Sequence, residues 1–594
     1  METTTEAKLG SKLSAEGANF RLWAPNAKKV SVMGPFNDWK AGEHPMTPGD
    51  DGHWEVFIPK VKAGDEYLYS LTTAAGDEVA KNDPYAREVT NSVGNSVVVD
   101  DTFDWGDDAF VMPPLNEIVL YEMHIGTFHD SDHEGPGTFD SAIKRLGHLK
   151  KLGFNCLEVM PVAEFAGDFS WGYNPSHIFA VETAYGGPVA FKRFIKACHE
   201  HGLGVVLDVV YNHFGPSDLD LWQFDGWSEH GKGGIYFYND HRSQTPWGDT
   251  RPDYGRPEVR RFLRDNAMMW LEDYRVDGLR YDATVYIRQV DLGGEFLEDG
   301  WTLFQALNGE VRERFPGKIL IAEDLQDDAA LTAPVKQGGA GFHAQWCSRF
   351  VHPVREAIEV SEDDHRSMTA VTTAIAHDFN GDPFQRVIYS ESHDEVANGK
   401  QRVVSEVQPD DPTDWYARKR STLAAGLVFT TPGVPMIFQG QEFLQAGHFE
   451  DTVPLDWDLK DEFPTVVRLY RDLVALRTNQ AGHSKGLTAW GCRITRIDEE
   501  KNVLAYHRYE HGGAGDDVMI VANFSHQAHV GFRIGLPSGG TWHERLNSNW
   551  SRYCKDKSSP VGPPLEADDQ AWDDLPASVE LSIPAYSLLI LSQS

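Results

Sequence analysis

Three patterns of hydrophobic and polar positions follow one another along the chain. Up to about residue 112, short runs such as 18–23 and 30–33 alternate hydrophobic with polar residues and are separated by Gly, Pro, Asn and Asp. From 113 to 480, short hydrophobic runs alternate with stretches whose hydrophobic residues recur at helical spacing. After 480 the short alternating runs return. A period of two is typical of strands and a period of 3.6 of helices, so the pattern predicts a β-domain, an α/β domain and a second β-domain.

The first region, residues 1–112, is predicted to be a small β-sandwich, because its strands and turn residues recur at the spacing of such folds. Its aromatic residues are expected to lie mostly in the core; they are Phe20, Trp23, Phe36, Trp39, Trp54 and Tyr67.

The middle region, residues 113–480, alternates strand with helix, which favours parallel pairing. Predicted helices include 142–152, one that begins at Pro188 and one that runs from Pro257 to Tyr274. The predicted strands are 118–125, 156–162, 203–210, 276–283, 319–323, 344–347, 386–393 and 434–440. Eight such strands predict a (β/α)8 TIM barrel, whose active site lies at the C-terminal ends of the strands.

One connection in this barrel is unusually long. The stretch 213–257 follows the third strand and exceeds the length expected of a passive loop. The last region, residues 481–594, has predicted strands at 503–506, 518–524 and 588–591 and is expected to form a C-terminal β-sandwich.

The amino-acid composition indicates which classes of binding partner are not expected. The chain carries 90 acidic and 54 basic residues, a formal charge of −36. Nucleic acids and anionic membranes require basic patches, so neither is expected as a partner. Seventeen Trp and 20 Tyr residues supply the flat aromatic faces that suit sugar rings.

The cysteines and the N-terminal residues indicate the cellular compartment in which the protein is expected. Five Cys residues are scattered without a C-x-x-C spacing, and Cys156 and Cys198 are expected to be buried thiols. This pattern is typical of a reducing compartment. Residues 1–6 lack a basic and a hydrophobic region, so no signal peptide is expected. The predicted localisation is cytoplasmic.

Candidate chemistry is concentrated where the predicted strands end. Asp282, Glu323 and Asp394, with His213 and His393, lie at or just after the ends of four of them and should therefore meet on one rim of the barrel. Two facing carboxyl groups carry out glycoside transfer: one attacks the anomeric carbon, while the other protonates the leaving oxygen and later activates the acceptor.

The surroundings of two carboxyls predict different roles. Arg280 and Asp282 lie two positions apart on one strand and should share a face. The guanidinium is expected to keep Asp282 ionised, as a nucleophile requires. Glu323 follows hydrophobic residues, which should raise its pKa and suit it to act as an acid. A retaining enzyme would hold the two carboxyls roughly 5–5.5 Å apart.

These segments resemble the four motif regions of glycoside hydrolase family 13, the α-amylase family. They are 208–213 (DVVYNH), 278–283 (GLRYDA), the segment around Glu323, and 391–400 (ESHDEVANGK). In addition, 20–25 (FRLWAP) and 36–39 (FNDW) resemble the family 48 carbohydrate-binding module, and the last domain resembles the C-terminal β-domain of the family.

The resemblance implies a role for each matching residue. Asp282 would be the nucleophile, Glu323 the general acid/base and Asp394 the stabiliser of the transition state. His213 and His393 would donate hydrogen bonds to sugar hydroxyls, and Tyr173 would stack on the sugar in the cleaved position. Arg280 would orient the nucleophile, and Asp208 and Asn212 would hold the frame of the site.

Within the family the motifs favour more than one activity. The segments 392–400 (SHDEVANGK), 440–443 (GQEF) and 454–457 (PLDW) resemble 1,4-α-glucan branching enzymes, whereas 121–128 (YEMHIGTF), 211–216 (YNHFGP) and 322–324 (AED) resemble maltooligosyltrehalose trehalohydrolases. A branching enzyme is favoured, and a trehalohydrolase or an α-amylase-like hydrolase remains the alternative. A carbohydrate-binding protein without activity would require the loss of one of the three carboxylates.

The expected substrate is an α-1,4-glucan: amylose, glycogen or a maltooligosaccharide. Some relatives bind calcium near the third strand, where Asn212 lies, but the framing role is favoured for Asn212. No metal and no cofactor is expected, and activity should survive chelation. A monomer is the default expectation.

Overall fold

A computed structural model describes residues 8–130 and 135–593 of the protein. Residues 1–6, for which the absence of a signal peptide is predicted, lie outside the described residues. The described part is built from the three predicted kinds of domain, in the predicted order. The boundaries at 112 and 480 remain predictions.

The N-terminal region forms two antiparallel sheets that pack face to face. One contains Gly10–Ser14, Gly17–Trp23, His53–Pro59 and Thr47–Pro48; the other contains His44–Pro45, Lys29–Met33, Glu66–Thr72, Glu78–Lys81 and the short strand Ser96–Val97. Phe20 and Tyr67 are fully buried and meet edge to face with ring centroids 5.0 Å apart. The predicted aromatic core is confirmed except for Trp39, which is 37% exposed.

The middle region is a closed barrel of eight parallel strands. They are Leu120–Met123, Cys156–Val159, Gly204–Val209, Gly278–Tyr281, Ile319–Ala322, Ala344–Trp346, Arg386–Ile388 and Val434–Phe438. The surrounding α-helices are Ile125–Phe128, Phe139–Ile143, Leu146–Leu152, Gly187–Glu200, Pro257–Met268, Val285–Arg288, Glu298–Arg314, Ser348–Glu359, Met368–Ala376, Val403–Val407, Trp415–Thr430, Leu459–Glu462 and Pro464–Arg477. A hairpin of Ala163–Phe165 and Pro175–Val181 follows the second strand. The predicted barrel is confirmed.

The interior of the barrel changes from hydrophobic to charged along the strands. Leu120, Cys156 and Val206 belong to the hydrophobic lower part. Side chains two residues apart share a face of a strand, so Glu122, Glu158 and Asp208 stand directly above them. In the strand register Glu122 pairs with Glu158, and Asp208 pairs with Arg280. The charged layer therefore lies at the C-terminal end of the barrel.

Some of the predicted strands and helices are shorter than expected or are interrupted. The seventh strand ends at Ile388 rather than His393, so His393 and Asp394 lie in a turn beyond it. The predicted helix 142–152 is two helices, and the first begins at a capping box between Thr138 and Ser141.

The helix that begins at Pro257 was predicted to continue to Tyr274, but it changes to a π-helical turn at Met269–Asp273. Asn266 lies one turn before this change, and its side-chain oxygen accepts hydrogen bonds from Tyr211 and Trp270. Single π-helical turns of this kind are inserted inside α-helices.

The C-terminal region is all-β, as predicted. One sheet contains Gly491–Asp498, Val503–Tyr509, Val518–Asn523, Ser587–Ser592, Gly540–Asn547 and Leu565–Ala567; the other pairs His529–Leu536 with Ala577–Ile583. A separate hydrophobic core lies between the two sheets.

All five cysteines are free thiols, and Cys156 and Cys198 are buried, as expected. Among the described residues, no helix is both long enough and hydrophobic enough to span a membrane.

Candidate active site

Arg280 is the centre of the charged rim. It lies on the fourth barrel strand with no exposed surface, and its Nη1 donates to Oδ2 of Asp208 at 2.6 Å. The same nitrogen lies 3.2 Å from Oδ1 of Asp282, and Nη2 lies 3.7 Å from Oε2 of Glu323. One guanidinium thus brings together the predicted nucleophile, the predicted acid/base and a third carboxylate.

Asp282 is held from two sides. Arg280 contacts one carboxylate oxygen, and Nδ2 of Asn212 donates to the other at 2.7 Å and to the backbone oxygen of Asp282 at 2.9 Å. Burial raises the pKa of Asp282, while Arg280 and the hydrogen bond from Asn212 pull it down. Arg280 acts in the expected direction, but burial outweighs it, so the pKa of Asp282 lies above its usual value.

Glu323 faces the segment that follows the nucleophile. The backbone N–H of Ala283 donates to Oε2 of Glu323 at 2.6 Å, and the N–H of Thr284 donates to its backbone oxygen at 2.7 Å. Burial raises the pKa of Glu323 to about 8; Asp282 and Asp394 add to the shift, and Arg280 opposes it. A carboxyl that keeps its proton near neutral pH can serve as a general acid.

His393 is held by a carboxylate that the sequence did not single out. Its Nδ1 lies 2.5 Å from Oε1 of Glu122, a residue of the first barrel strand. Nε2 of His393 lies 3.7 Å from Oδ1 of Asp394, whose side chain is 43% exposed. Burial alone would lower the pKa of His393, but Asp394 and Glu122 raise it to about 9. The ring is therefore a cationic hydrogen-bond donor at neutral pH.

His213 is the neutral counterpart of His393. Burial lowers the pKa of His213 to about 4. Its Nδ1 bonds to the side-chain oxygen of Asn212, and the indole of Trp247 stacks on its ring at 4.4 Å and 14°.

Tyr173 adjoins Nη1 of Arg280, whereas Glu323 lies nearest Nη2. Its hydroxyl donates to Oδ2 of Asp208 at 2.6 Å, and its ring stacks on His393 with centroids 4.9 Å apart. His393 therefore covers one face of the ring on which the sugar was predicted to stack. Asp208 accepts from both Tyr173 and Arg280, which fits its predicted framing role.

Glu158 is a buried carboxyl that the sequence analysis missed. It lies on the second barrel strand, and neither of its side-chain oxygens has a hydrogen-bond partner among the described residues. Burial raises the pKa of Glu158 well above its usual value, and Glu122 and Asp208 add to the shift. Burial therefore favours the protonated form of this carboxyl, beneath the rim.

All nine predicted site residues thus lie within one connected cluster, together with Glu122, Glu158 and Trp247. The signal for the two glutamates was available, because each is a charged residue in the middle of an otherwise hydrophobic strand. Trp247 gave no such signal, since only the fold brings it against His213, 34 positions earlier in the chain. Among the described residues, no group of three or more His, Cys, Asp or Glu side chains could hold a metal ion.

Family models match all three regions. Residues 8–86 match carbohydrate-binding module 48 (isoamylase N-terminal domain). Residues 124–219 and 220–462 match the α-amylase catalytic domain. Residues 494–594 match the α-amylase C-terminal all-β domain.

Two relatives illustrate the similarity in sequence. The 1,4-alpha-glucan branching enzyme GlgB of Marinobacter nauticus is 32% identical over 98% of this chain and 95% of its own length. The enzyme of the same name from Oceanobacillus iheyensis is 30% identical over 97% of this chain and 92% of its own length.

Solved structures support the fold. Pullulanase type I of Bacillus subtilis, complexed with maltose, has a TM-score of 0.77 at 22% identity and covers 99% of this chain and 86% of its own. Pullulanase of Anoxybacillus sp. LM18-11, complexed with maltotetraose, has a TM-score of 0.76 at 22% identity, with coverage of 99% and 87%. The catalytic-domain match covers more than half of the chain and includes all nine predicted site residues. The chain therefore belongs to the α-amylase family.

Proposed function

We propose that this protein is a 1,4-α-glucan branching enzyme, which cleaves an α-1,4 linkage and transfers the released chain to a glucan 6-hydroxyl. The observation that carries the proposal is the similarity along 98% of the chain to a branching enzyme at 32% identity. The cluster of Asp282, Glu323 and Arg280 supplies the chemistry that such a reaction needs.

In the proposed first step, an oxygen of Asp282 attacks C1 of the sugar at the cleavage point. The bond from C1 to the glycosidic oxygen breaks, and Glu323 gives that oxygen its proton. Burial of Glu323 supports this role, because it keeps the carboxyl protonated. Arg280 and Asn212 favour the ionised form of Asp282, as a nucleophile requires.

In the proposed second step, Glu323 is a carboxylate and accepts the proton of the incoming 6-hydroxyl. The oxygen of that hydroxyl bonds to C1, and Asp282 is released as a carboxylate. Asp394 would stabilise the positive charge that develops on the sugar in both steps. Cationic His393 and neutral His213 would hydrogen-bond sugar hydroxyls.

The features that resemble a trehalohydrolase include Asp324, directly after Glu323. In the structure Asp324 forms two hydrogen bonds with Arg288, at 2.9 and 2.7 Å, and accepts one from Thr284 at 2.9 Å. With no exposed side-chain surface, it acts as a structural partner of Arg288 and does not line the cleft. Asp324 therefore does not argue against a branching enzyme.

We further propose that the enzyme acts as a cytoplasmic monomer on amylose, glycogen or maltooligosaccharides, without nucleic acid or membrane as a partner. Five free thiols and a formal charge of −36 support this setting.

The test is proton NMR on the purified enzyme incubated with linear amylose. New α-1,6 anomeric signals with few new reducing ends are expected. Reducing ends that rise without α-1,6 signals would instead identify a hydrolase. If amylose is left unchanged, the proposal fails, and maltooligosyltrehalose is the next substrate to assay.

A further inference from the structure

Two groups of aromatic side chains flank the catalytic cluster. Tyr173 and Trp171 lie beside His393, with Phe449 against Trp171. Trp247 lies elsewhere on the rim: it stacks on His213 and meets Tyr286 edge to face, with centroids 5.3 Å apart. The group of Tyr173, Trp171 and Phe449 adjoins His393, which directly precedes Asp394. The group of Trp247 and Tyr286 extends toward Glu323.

The position of Tyr286 shows which side of the cleft the second group occupies. Tyr286 belongs to the short helix Val285–Arg288, directly after Ala283 and Thr284, and both of those residues hydrogen-bond to Glu323. In the proposed mechanism Glu323 protonates the leaving oxygen and later takes the proton of the acceptor. The side of the cleft nearest Glu323 is therefore the side where the leaving and accepting sugars bind.

Trp247 has the exposure and the rigidity of a binding surface. It is 43% exposed although it touches two residues of the rim. It lies on a tight turn in which Thr245 and Gly248 exchange backbone hydrogen bonds of 2.8 and 3.2 Å. Nearby, Arg251 donates to the backbone oxygens of Gln244 and Val290, at 2.9 and 2.6 Å, and so ties this loop to the segment after Tyr286.

We propose that Trp247 is the stacking surface for the acceptor glucan, and that it selects transfer over hydrolysis. This inference rests on the proposed branching function. A sugar ring has an apolar face that packs on an aromatic ring, and an indole already held by a tight turn loses little freedom when it binds. An acceptor chain on Trp247 brings its 6-hydroxyl to C1 of the glycosyl group on Asp282 and displaces the water that would otherwise attack.

Both outcomes use the same chemistry and differ in one reactant. The acceptor oxygen bonds to C1, the bond from C1 to Asp282 breaks, and the proton moves to Glu323. When the oxygen belongs to a glucan, an α-1,6 linkage forms; when it belongs to water, a new reducing end forms. The ratio of these two products therefore reports on the acceptor surface and not on the cleavage step.

The experiment compares three variants with the wild type on linear amylose, counting α-1,6 signals against new reducing ends. Trp247→Ala is expected to lower the ratio of transfer to hydrolysis about fivefold, the loss of one aromatic stacking contact. Trp247→Phe, which keeps an aromatic face, should recover most of the ratio. Trp490→Ala is the matched control: Trp490 is 59% exposed but adjoins the N-terminal end of the barrel, where Thr488 accepts a hydrogen bond from Asn116. Its ratio should equal that of the wild type.

A purely structural role for Trp247, such as orienting His213, predicts a different result. Both products would then fall together, and the ratio would not change; that outcome overturns the inference. Added maltohexaose as acceptor gives a second readout, since Trp247→Ala should need about fivefold more of it to reach the same ratio. An unchanged acceptor requirement would also overturn the inference.

Failure of the inference is distinguishable from failure of the proposed function. If the wild type branches amylose and Trp247→Ala keeps the wild-type ratio, the acceptor surface alone is wrong. If the wild type forms no α-1,6 signal, the branching function is wrong, and the acceptor surface with it.

Discussion

The two ends of the barrel both bury arginine, but they satisfy it in opposite ways. At the C-terminal end Arg280 is surrounded by the carboxylates of Asp208, Asp282 and Glu323. At the N-terminal end, Arg477 and Arg508 donate to backbone oxygens alone within the described part of the chain, and Arg508 donates to those of Thr430, Gly491, Leu487 and Ala489.

The two kinds of contact shift the pKa values of these arginines in opposite directions. Burial alone would lower the pKa of Arg280, but Asp208 and its neighbours raise it well above the usual value. Burial lowers the pKa of Arg508 to about 10 and that of Arg477 to about 9, and among the described residues no carboxylate forms an ion pair with either guanidinium. The rim thus holds opposed charges that can take part in chemistry. At the base, Arg508 joins the C-terminal domain to the barrel, and Arg477 joins segments of the barrel to one another.

Removal of the nucleophile should have the largest effect at the rim. Asp282→Asn is expected to lower turnover of amylose at least about 10⁴-fold, since it removes the group that forms the covalent bond. The variant should unfold at the wild-type temperature and still bind glucan in an affinity gel. Substantial activity in Asp282→Asn would show that another residue is the nucleophile.

A matched pair of substitutions tests the contrast between the two ends. Arg280→Met should lower kcat/KM about 10²–10³-fold, because the charge beside Asp282 and Glu323 is lost. Arg508→Met should leave kcat/KM of the folded enzyme unchanged but lower the unfolding temperature, at a cost of about 1–3 kcal/mol for each carbonyl left unpaired.

Arg280→Met and Arg508→Met are each compared with the wild type by steady-state kinetics and thermal unfolding. The contrast fails if Arg508→Met loses activity while still folded, or if Arg280→Met retains wild-type kinetics.

The pH dependence of cleavage should reflect the raised pKa of Glu323. A general acid works only while protonated, so kcat should be full below the pKa and fall as the pH rises through about 8. Because Glu323 and Asp282 titrate together, the measured value belongs to the pair. A basic limb that stays in place in Glu323→Gln would assign it to another group.

The smallest effect is expected at Glu158, whose raised pKa favours the protonated form. Glu158→Gln should keep activity within about threefold, since an amide has the shape of the protonated carboxyl that burial favours. A carboxyl with a raised pKa stabilises the fold at low pH and loses that contribution as the pH rises toward its folded value. The unfolding temperature of Glu158→Gln should therefore fall less between pH 6 and pH 9 than that of the wild type.

Glu122→Gln is the control for this substitution, because Glu122 pairs with Glu158 in the strand register but holds His393. It should lose more activity than Glu158→Gln. Equal losses would show that both carboxyls act alike.

The sequence predicted those parts of the site that local pattern determines. Asp282 and Glu323 follow short hydrophobic strands, and the barrel order then requires them to lie on one rim. His393 and Asp394 were placed correctly on the rim, although their strand ends five residues earlier, at Ile388. The properties of the site that the sequence did not predict depend on contacts between distant segments.

Burial is one such property: it raises the pKa of Asp282 above its usual value although Arg280 pulls the pKa down. Trp247 is another: in the sequence it is one tryptophan in a long loop, and only the fold brings it onto His213.

The most direct test of the account is to trap the glycosyl group on the nucleophile. Glu323→Gln, incubated with α-maltotriosyl fluoride, should form the adduct, since fluoride leaves without an acid, and retain it, since no base activates the acceptor. Mass spectrometry of the digested protein is then predicted to show one maltotriosyl group on the peptide that carries Asp282. An adduct on another residue, or none in Glu323→Gln while the wild type turns the fluoride over, would contradict the account.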